Sequence, residues 1–182
     1  AALHTDYVPE LDIRAFAAAA PSNLFIEQWS PYITTNGYHL TFYALVAYAW
    51  SRHYGYETEN IFYEPRRAEI ENAISTRCLF EEDEETINLF DALGTTTTEI
   101  FSPAFIEDFS NASLDNFPAI KTGFEENRVI PFTQTAPIKI YQGTWDYTVP
   151  PESTQNLIES LQAGGMEIQY EEIPLSGHPN TA

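Results

Sequence analysis

The stretch that decides the fold runs from Ile138 to His178 and reads IKIYQGTWDYTVPPESTQNLIESLQAGGMEIQYEEIPLSGH. Its opening residues, Ile138 to Tyr141, predict a short apolar strand that ends near Gly143. Pro150 and Pro151 then predict the start of a helix, because proline suits the first helical turn. The order of these signals indicates a strand followed by a loop and a helix.

The same stretch continues with a second strand. The helix has one apolar face, and two consecutive glycines, Gly164 and Gly165, predict its end. Met166 to Ile173 then predicts a strand, after which a loop carries Ser176, Gly177 and His178. We therefore expect a strand–helix–strand unit with two parallel strands.

Two residues that can take part in acid–base catalysis follow these strands. Asp146 lies in the loop after the first strand, and His178 lies in the loop after the second. Because parallel strands joined by a helix place both following loops at the carboxyl end of the sheet, the two side chains are expected to meet. A carboxylate beside an imidazole fixes its tautomer and stabilises the imidazolium that forms during base catalysis. The pattern predicts Asp146 and His178 as catalytic residues.

Composition narrows the function further. The chain has 182 residues, of which 43% are hydrophobic, enough for one domain with a sizeable core. Its net charge of -19 disfavours nucleic-acid binding, because such a surface repels phosphate backbones. No apolar run is long enough for a membrane helix. The single cysteine, Cys78, forms neither a zinc framework nor an internal disulfide, so it is interpreted as a buried or inert thiol, with a disulfide to a segment outside residues 1–182 as the alternative.

We expect neither a cofactor nor a metal. The sequence contains no phosphate-binding glycine loop, HExxH or CxxC motif. His39 and His53 lack the one-turn spacing of a helical metal pair. The acidic run from Glu81 to Glu85 lacks the alternating ligands and the glycine of a calcium loop, so it is interpreted as a solvated face or a helix start.

The rest of the chain divides into a strand and a long insert. Ile13 to Ala19 is a compact apolar run that predicts a buried strand, although its alanines also permit a helix. Residues 24–132 predict a helix-rich insert, so residues 1–23 and 133–182 would form one core. Thr95 to Thr98 is interpreted as a polar break. The helix candidates are Tyr38–Tyr54, Arg66–Cys78, Glu84–Leu93, Pro103–Phe109 and Leu114–Asn127.

Two resemblances follow from these residues. The Asp146 and His178 unit resembles the last third of the α/β-hydrolase fold, whose triad runs in the order Ser, Asp or Glu, His. Tyr7, Pro9, Glu10 and Leu11 resemble the Tyr-x-Pro-Glu-Leu element of secretory lipases, the family that includes the lipase A type from yeast. The resemblance implies a partial α/β-hydrolase fold, with a mainly parallel sheet and a helical cap insert.

The family also implies a function. The expected activity is that of a secreted or extracytoplasmic serine carboxylic-ester hydrolase, a lipase or esterase that acts on a small-molecule or lipid ester. Asp146 would be the triad acid and His178 the triad base. The open alternatives are another α/β-hydrolase chemistry, such as a peptidase or an acyltransferase, and a non-catalytic hydrolase-like binding protein.

One element of that family is absent from this sequence. No Gly-x-Ser-x-Gly nucleophile elbow occurs around any of its serines. We therefore expect the chain to be the later part of a longer hydrolase, with the nucleophilic serine and the oxyanion-hole donors upstream of residue 1. Residues 1–182 alone are then expected to be inactive.

Overall fold

The computed structural model describes residues 3–23, 26–79 and 87–178. These residues divide into two compact units. Residues 3–23 and 128–178 form a sheet unit, and the described residues between 26 and 127 form a helical unit. The acidic run at residues 81–85 lies outside the described residues.

The sheet unit contains three parallel strands. These are β1 (Phe16–Ala19), β2 (Ile138–Gly143) and β3 (Ile168–Ile173), with β2 in the centre. The predicted parallel sheet is therefore confirmed. β1 is shorter than the run from Ile13 to Ala19, because its pairing begins where Phe16 meets the start of β2. The loops after β2 and β3 therefore both follow the carboxyl ends of the parallel strands.

A helix connects β2 to β3 and closes an aliphatic core. This helix spans Pro151–Ala163, and its apolar face packs against the sheet. The buried core residues are Ile138, Ile140, Leu157, Ile158, Leu161, Met166 and Ile168. Each such side chain stabilises the fold by about 1.5–3 kcal/mol relative to an exposed one.

Two glycines end this connecting helix for different reasons. A Cβ on Gly164 would lie 2.2 Å from the Cβ of Pro131, so only glycine admits that close approach. Gly165 has a φ of +88°, in the left-handed region that glycine adopts most readily. The sequence signal for the end of this helix is confirmed.

The short first helix, α1 (His4–Tyr7), also belongs to the sheet unit, and the remaining α-helices are numbered in chain order. They are α2 (Ile26–Trp29), α3 (His39–Tyr54), α4 (Arg67–Thr76), α5 (Leu89–Leu93), α6 (Thr97–Ile100), α7 (Pro103–Ser110), α8 (Pro118–Asn127) and α9 (Pro151–Ala163). Short 3₁₀ turns occupy Ser30–Tyr32 and Glu64–Arg66. None of the helices in the described ranges is long and apolar enough to cross a membrane.

The helical unit has an aromatic core. The ring of Phe105 lies 5.1–5.3 Å, between centroids, from the rings of Phe101, Phe109 and Phe117. Offset and edge-to-face pairs of this kind contribute about 0.5–1.5 kcal/mol each beyond their buried area. The core therefore depends on ring geometry as well as on burial.

α3 lies across this core. Its buried face consists of Leu40, Thr41, Ala44, Ala47 and Ser51. Tyr43 stacks on Trp29 at 4.8 Å, and its hydroxyl donates a 2.9 Å hydrogen bond to the Trp29 carbonyl oxygen. Burial raises the pKa of Tyr43, which favours the neutral phenol that this hydrogen bond requires. The many apolar residues of this helix are explained by packing within its own unit.

One predicted break and one predicted helix start in the insert were wrong. Thr97 and Thr98 begin α6 instead of forming a polar break, and the Thr97 amide donates to Asn36 Oδ1 at 3.2 Å. α8 begins at Pro118, not at Leu114, because Leu114 has a φ of +49°. Pro118 is itself a sequence signal for the start of a helix.

The helix predicted over Glu84–Leu93 is also shorter in the structure. α5 begins after Asn88, whose side chain accepts a hydrogen bond from the Asp91 amide at 3.0 Å. Residues 84–86 lie outside the described residues. The N-cap residue Asn88 thus sets the start of this helix.

Candidate active site

Asp146 lies in the loop after β2, and the loop itself holds its carboxylate. Oδ1 accepts hydrogen bonds from the amides of Thr148 at 3.0 Å and Val149 at 2.9 Å. Its side chain has no solvent exposure. Two charge-assisted bonds to one oxygen fix the carboxylate plane and leave Oδ2 for a different partner.

The loop after β3 is tied directly to the Asp146 loop. The Thr144 amide donates to the Ile173 carbonyl at 3.1 Å, and the Trp145 amide donates to the Ser176 carbonyl at 3.0 Å. In return, the Leu175 amide donates to Thr144 Oγ1 at 2.9 Å. These bonds hold Leu175 at a φ of +59°, a left-handed conformation that costs a non-glycine residue roughly 1–2 kcal/mol.

The two loops bring the predicted site residues together. His178 Nδ1 lies 2.8 Å from Asp146 Oδ2. The carboxylate is fully buried, whereas 40% of the imidazole side chain is exposed. The Asp146 contact places the proton of a neutral imidazole on Nδ1, which leaves the Nε2 lone pair available as a base. Chemically, the pair can accept a proton at Nε2 and stabilise the resulting imidazolium.

Sequence reasoning missed two polar residues beneath this loop. Gln142, on β2, and Thr154, on α9, both have 0% exposure. Gln142 Nε2 lies 3.1 Å from the carbonyl oxygens of both Gly143 and Val149, and Thr154 Oγ1 donates to Gln142 Oε1 at 2.5 Å. Strand alternation could have indicated that Gln142 is buried, because Gln142 lies on the same core-facing side of β2 as Ile138 and Ile140.

Three large apolar or aromatic side chains are exposed in the loops that carry the pair. Trp145, Tyr147 and Leu175 are 56%, 88% and 66% exposed, respectively. They lie in the two loops that carry Asp146 and His178. The described surface next to the pair is therefore partly apolar.

The other histidines described with side chains have local contacts. His39 Nε2 lies 2.9 Å from the Tyr32 carbonyl oxygen, and the His53 ring lies 4.7 Å from that of Tyr54. Within residues 3–23, 26–79 and 87–178, His, Cys, Asp and Glu form no group of three or more that could hold a metal ion. We interpret these two histidines as structural.

Comparison with known proteins places the fold. The sequence matches no protein-family profile and no curated protein. The structure resembles the rice cell wall degrading esterase LipA from Xanthomonas oryzae, with a TM-score of 0.75 and 15% identity over 99% of this chain and 48% of that one. A putative hydrolase from Legionella pneumophila has a TM-score of 0.68 and 18% identity over 98% of this chain and 46% of that one.

Lipase A from Candida antarctica is a further structural relative, with a TM-score of 0.61 and 14% identity. The match covers 97% of this chain and 40% of that one. The chain thus spans about half the length, or less, of these solved structures. Together with the parallel sheet, these likenesses show that the chain has a partial α/β-hydrolase fold of the kind found in esterases and lipases.

Proposed function

We propose that this chain supplies the acid and the base of a Ser–Asp–His triad in a carboxylic-ester hydrolase of the lipase or esterase type. The supporting observation is the 2.8 Å contact between His178 Nδ1 and Asp146 Oδ2. The order of acid before histidine in the chain agrees with the triad order of α/β-hydrolases. The esterase and lipase folds among the structural relatives point to the same chemistry.

Each residue has a defined role in the proposed reaction. His178 Nε2 takes the proton of a serine hydroxyl as that oxygen attacks the ester carbonyl, and later gives it to the leaving alcohol. Asp146 holds the imidazole in the productive tautomer and stabilises the imidazolium. Water then hydrolyses the acyl-enzyme, with His178 again as the base.

The nucleophile belongs to a part of the whole protein outside residues 1–182. The sequence has no Gly-x-Ser-x-Gly elbow, and the chain matches about half of each structural relative. The same outside segment would supply the backbone amides of the oxyanion hole. Residues 1–182 alone are accordingly proposed to be inactive.

The helical unit is proposed to be the cap of the enzyme. This assignment depends on its place in the chain between β1 and β2, where α/β-hydrolases commonly carry such an insert. Caps shape the substrate site and exclude water from it. An ester with an apolar acyl group is the proposed substrate, and the exposed Trp145, Tyr147 and Leu175 favour it.

Two further features belong to the proposal. The net charge of -19 argues against a nucleic-acid partner. The resemblance of Tyr7 to Leu11 to an element of secretory lipases supports an extracytoplasmic location. Both follow from sequence features that are independent of the Asp146–His178 geometry.

The proposal is tested on the protein in its full natural length. Hydrolysis of p-nitrophenyl esters of graded acyl length is measured for the parent, for Asp146→Asn and for Asp115→Asn. The last variant is a matched control, because the Asp115 side chain is 73% exposed and pairs with Lys121. We expect Asp146→Asn to lower kcat by roughly 10⁴-fold and the control to leave it unchanged.

A fluorophosphonate probe identifies the nucleophile in the same samples. Labelling of one serine outside residues 1–182, slowed by Asp146→Asn, is the expected result. Full ester hydrolysis by Asp146→Asn would reject the triad assignment. No labelling and no hydrolysis in the parent would instead indicate a hydrolase-shaped binding protein, and preferential acyl transfer to an added alcohol would indicate an acyltransferase.

A further inference from the structure

We infer that Gln142 is a positioning residue for the Asp146–His178 pair and acts through the backbone of Val149. The inference depends on the proposed function, because it assigns Gln142 to the base that the triad uses. Three steps link Gln142 to the imidazole: its bonds to two loop carbonyls, the bond that orients its amide, and the bonds that continue through Val149 to the carboxylate. None of these steps requires a direct contact between Gln142 and Asp146.

The first step is the amide group itself. Gln142 Nε2 lies 3.1 Å from both the Gly143 and the Val149 carbonyl oxygens, at opposite ends of the Asp146 loop. One NH₂ group has two donors, and here each donor has one carbonyl acceptor. The amide therefore holds the two ends of the loop together, and we call this pair of bonds the brace.

The second step fixes the orientation of the brace. Thr154 Oγ1 donates to Gln142 Oε1 at 2.5 Å, which joins the loop to α9. A reversed amide would point its oxygen at two carbonyl oxygens, so this network allows one orientation of the side chain. With Gln142 and Thr154 both at 0% exposure, water does not compete for these bonds.

The third step joins the brace to the carboxylate. Val149 accepts from Gln142 through its carbonyl oxygen and donates to Asp146 Oδ1 through its amide at 2.9 Å. Fixing Val149 fixes the direction of the carboxylate, and Oδ2 then meets His178 Nδ1. A buried amide at a core-facing strand position is costly unless it is hydrogen-bonded. Here its NH₂ group bonds two carbonyl oxygens of the loop, and its oxygen accepts from Thr154 on α9.

The test compares Gln142→Met with Gln134→Met in the full-length protein. Methionine keeps the length of glutamine and removes its hydrogen-bonding groups. Gln134 is a matched control at the other end of the sheet, where its side chain bonds the backbone of Glu167 at 2.8 and 2.9 Å. Both variants lose an amide that braces two segments of the same unit.

The first measurement is the tautomer of His178, read from long-range ¹H–¹⁵N NMR correlations of the imidazole. We expect Gln142→Met to convert a single Nδ1–H tautomer into a mixture, and Gln134→Met to leave it unchanged. This readout needs no substrate. An unchanged tautomer in folded Gln142→Met, or an equal change in Gln134→Met, would overturn the inference.

The second measurement is kinetic. Gln142→Met is expected to lower kcat by roughly 10- to 100-fold with KM changed less than about twofold, because the base is misplaced and substrate binding is untouched. In an Asp146→Asn background the same substitution is expected to cost less than about threefold, since it acts through Asp146. A full additional loss in that background would show a structural role only and overturn the inference.

A gentler variant covers the case in which Gln142→Met does not fold. Thr154→Val removes the hydroxyl that orients the amide and preserves the shape of the side chain. It is expected to change the tautomer in the same direction and to lower kcat by roughly 3- to 10-fold. No change in either quantity would reject the role of Gln142. If Asp146→Asn leaves hydrolysis intact, the proposed function fails, and the tautomer still decides whether Gln142 positions the pair.

Discussion

The sheet unit and the helical unit bury polar groups in different ways. In the sheet unit, the buried Gln142, Asp146 and Thr154 have hydrogen bonds that converge on one loop. In the described helical unit, the buried hydroxyls of Thr41 and Thr97 have no hydrogen-bond partner. The buried polar groups at the candidate site thus share one network, whereas in the described helical unit they bond locally, as Ser51 does to the Tyr48 carbonyl oxygen, or lack a partner.

This difference predicts how each unit responds to damage. Loss of the His178 imidazole should remove activity at a small cost in stability, because this side chain is partly exposed. Loss of a ring from the helical unit should lower stability instead. The following substitutions test that contrast in order of expected size.

The largest effect is expected for His178→Ala in the full-length protein. We expect kcat for ester hydrolysis to fall by roughly 10⁴- to 10⁶-fold, because triad members act as a unit. The urea midpoint should fall only slightly, because 40% of the side chain is exposed and its main buried contact is the one with Asp146 Oδ2. The control is His39→Ala, which removes an imidazole from α3. A fall smaller than about tenfold would contradict the role of His178.

The next largest effect is expected for Phe105→Ala. Removing this ring, which is 2% exposed and contacts three other phenylalanines, should lower the free energy of unfolding by about 3–5 kcal/mol. Urea denaturation measures the loss. Tyr38→Ala is the matched control, because Tyr38 is 57% exposed, and its loss should be well below that of Phe105. The His178 tautomer in the folded variant should be unchanged, and a change would mean that damage to the helical unit reaches the pair.

A smaller effect is expected for Gly123→Ala in α8. The added Cβ would lie 2.5 Å from Cε3 of Trp50, so the indole must move at a cost of about 1–3 kcal/mol. Thr122→Ala, one position earlier, should cost less. Combining Gly123→Ala with Trp50→Leu should lose less than the sum of the two changes, because the smaller side chain relieves the overlap. If the two losses in the free energy of unfolding simply add, the close contact between residues 123 and 50 does not affect stability.

The same contrast explains what could be predicted from the sequence. The segment from β2 to β3 is specified by signals close together in the sequence. Pro151 starts α9, and Gly164 and Gly165 end it. The parallel strands then bring Asp146 and His178 together beyond their carboxyl ends. Each of these signals acts within a few residues or follows from topology. The fold of this segment and the placement of its acid and histidine were therefore predictable from the amino-acid sequence alone.

The helical unit depends more on distant partners. The start of α8 follows a turn in which the Asp108 carboxylate accepts from the Asn116 amide at 2.8 Å and from the Ser113 hydroxyl at 3.0 Å. α6 begins where Asn36, far along the chain, binds the Thr97 amide. Periodicity does not encode such partners, so the boundaries drawn from it were wrong, although Pro118 marks the start of α8. Strand alternation could indicate that Gln142 is buried, but it does not show that Val149 and Thr154 are its hydrogen-bond partners.

The distribution of tryptophans gives the two units separate optical signals. Trp29 and Trp50 are half-buried in the aromatic core of the helical unit, whereas Trp145, next to Asp146, is 56% exposed. Emission from the first two reports on ring packing, and quenching by acrylamide, a neutral molecule, is strongest for the third. Since these are the three tryptophans of the sequence, Trp50→Phe and Trp29→Phe together leave a single fluorophore beside the proposed catalytic acid. A shift of its emission as a bound acyl chain excludes water would then provide a direct titration of ligand entry, without isotopes or a chromogenic ester.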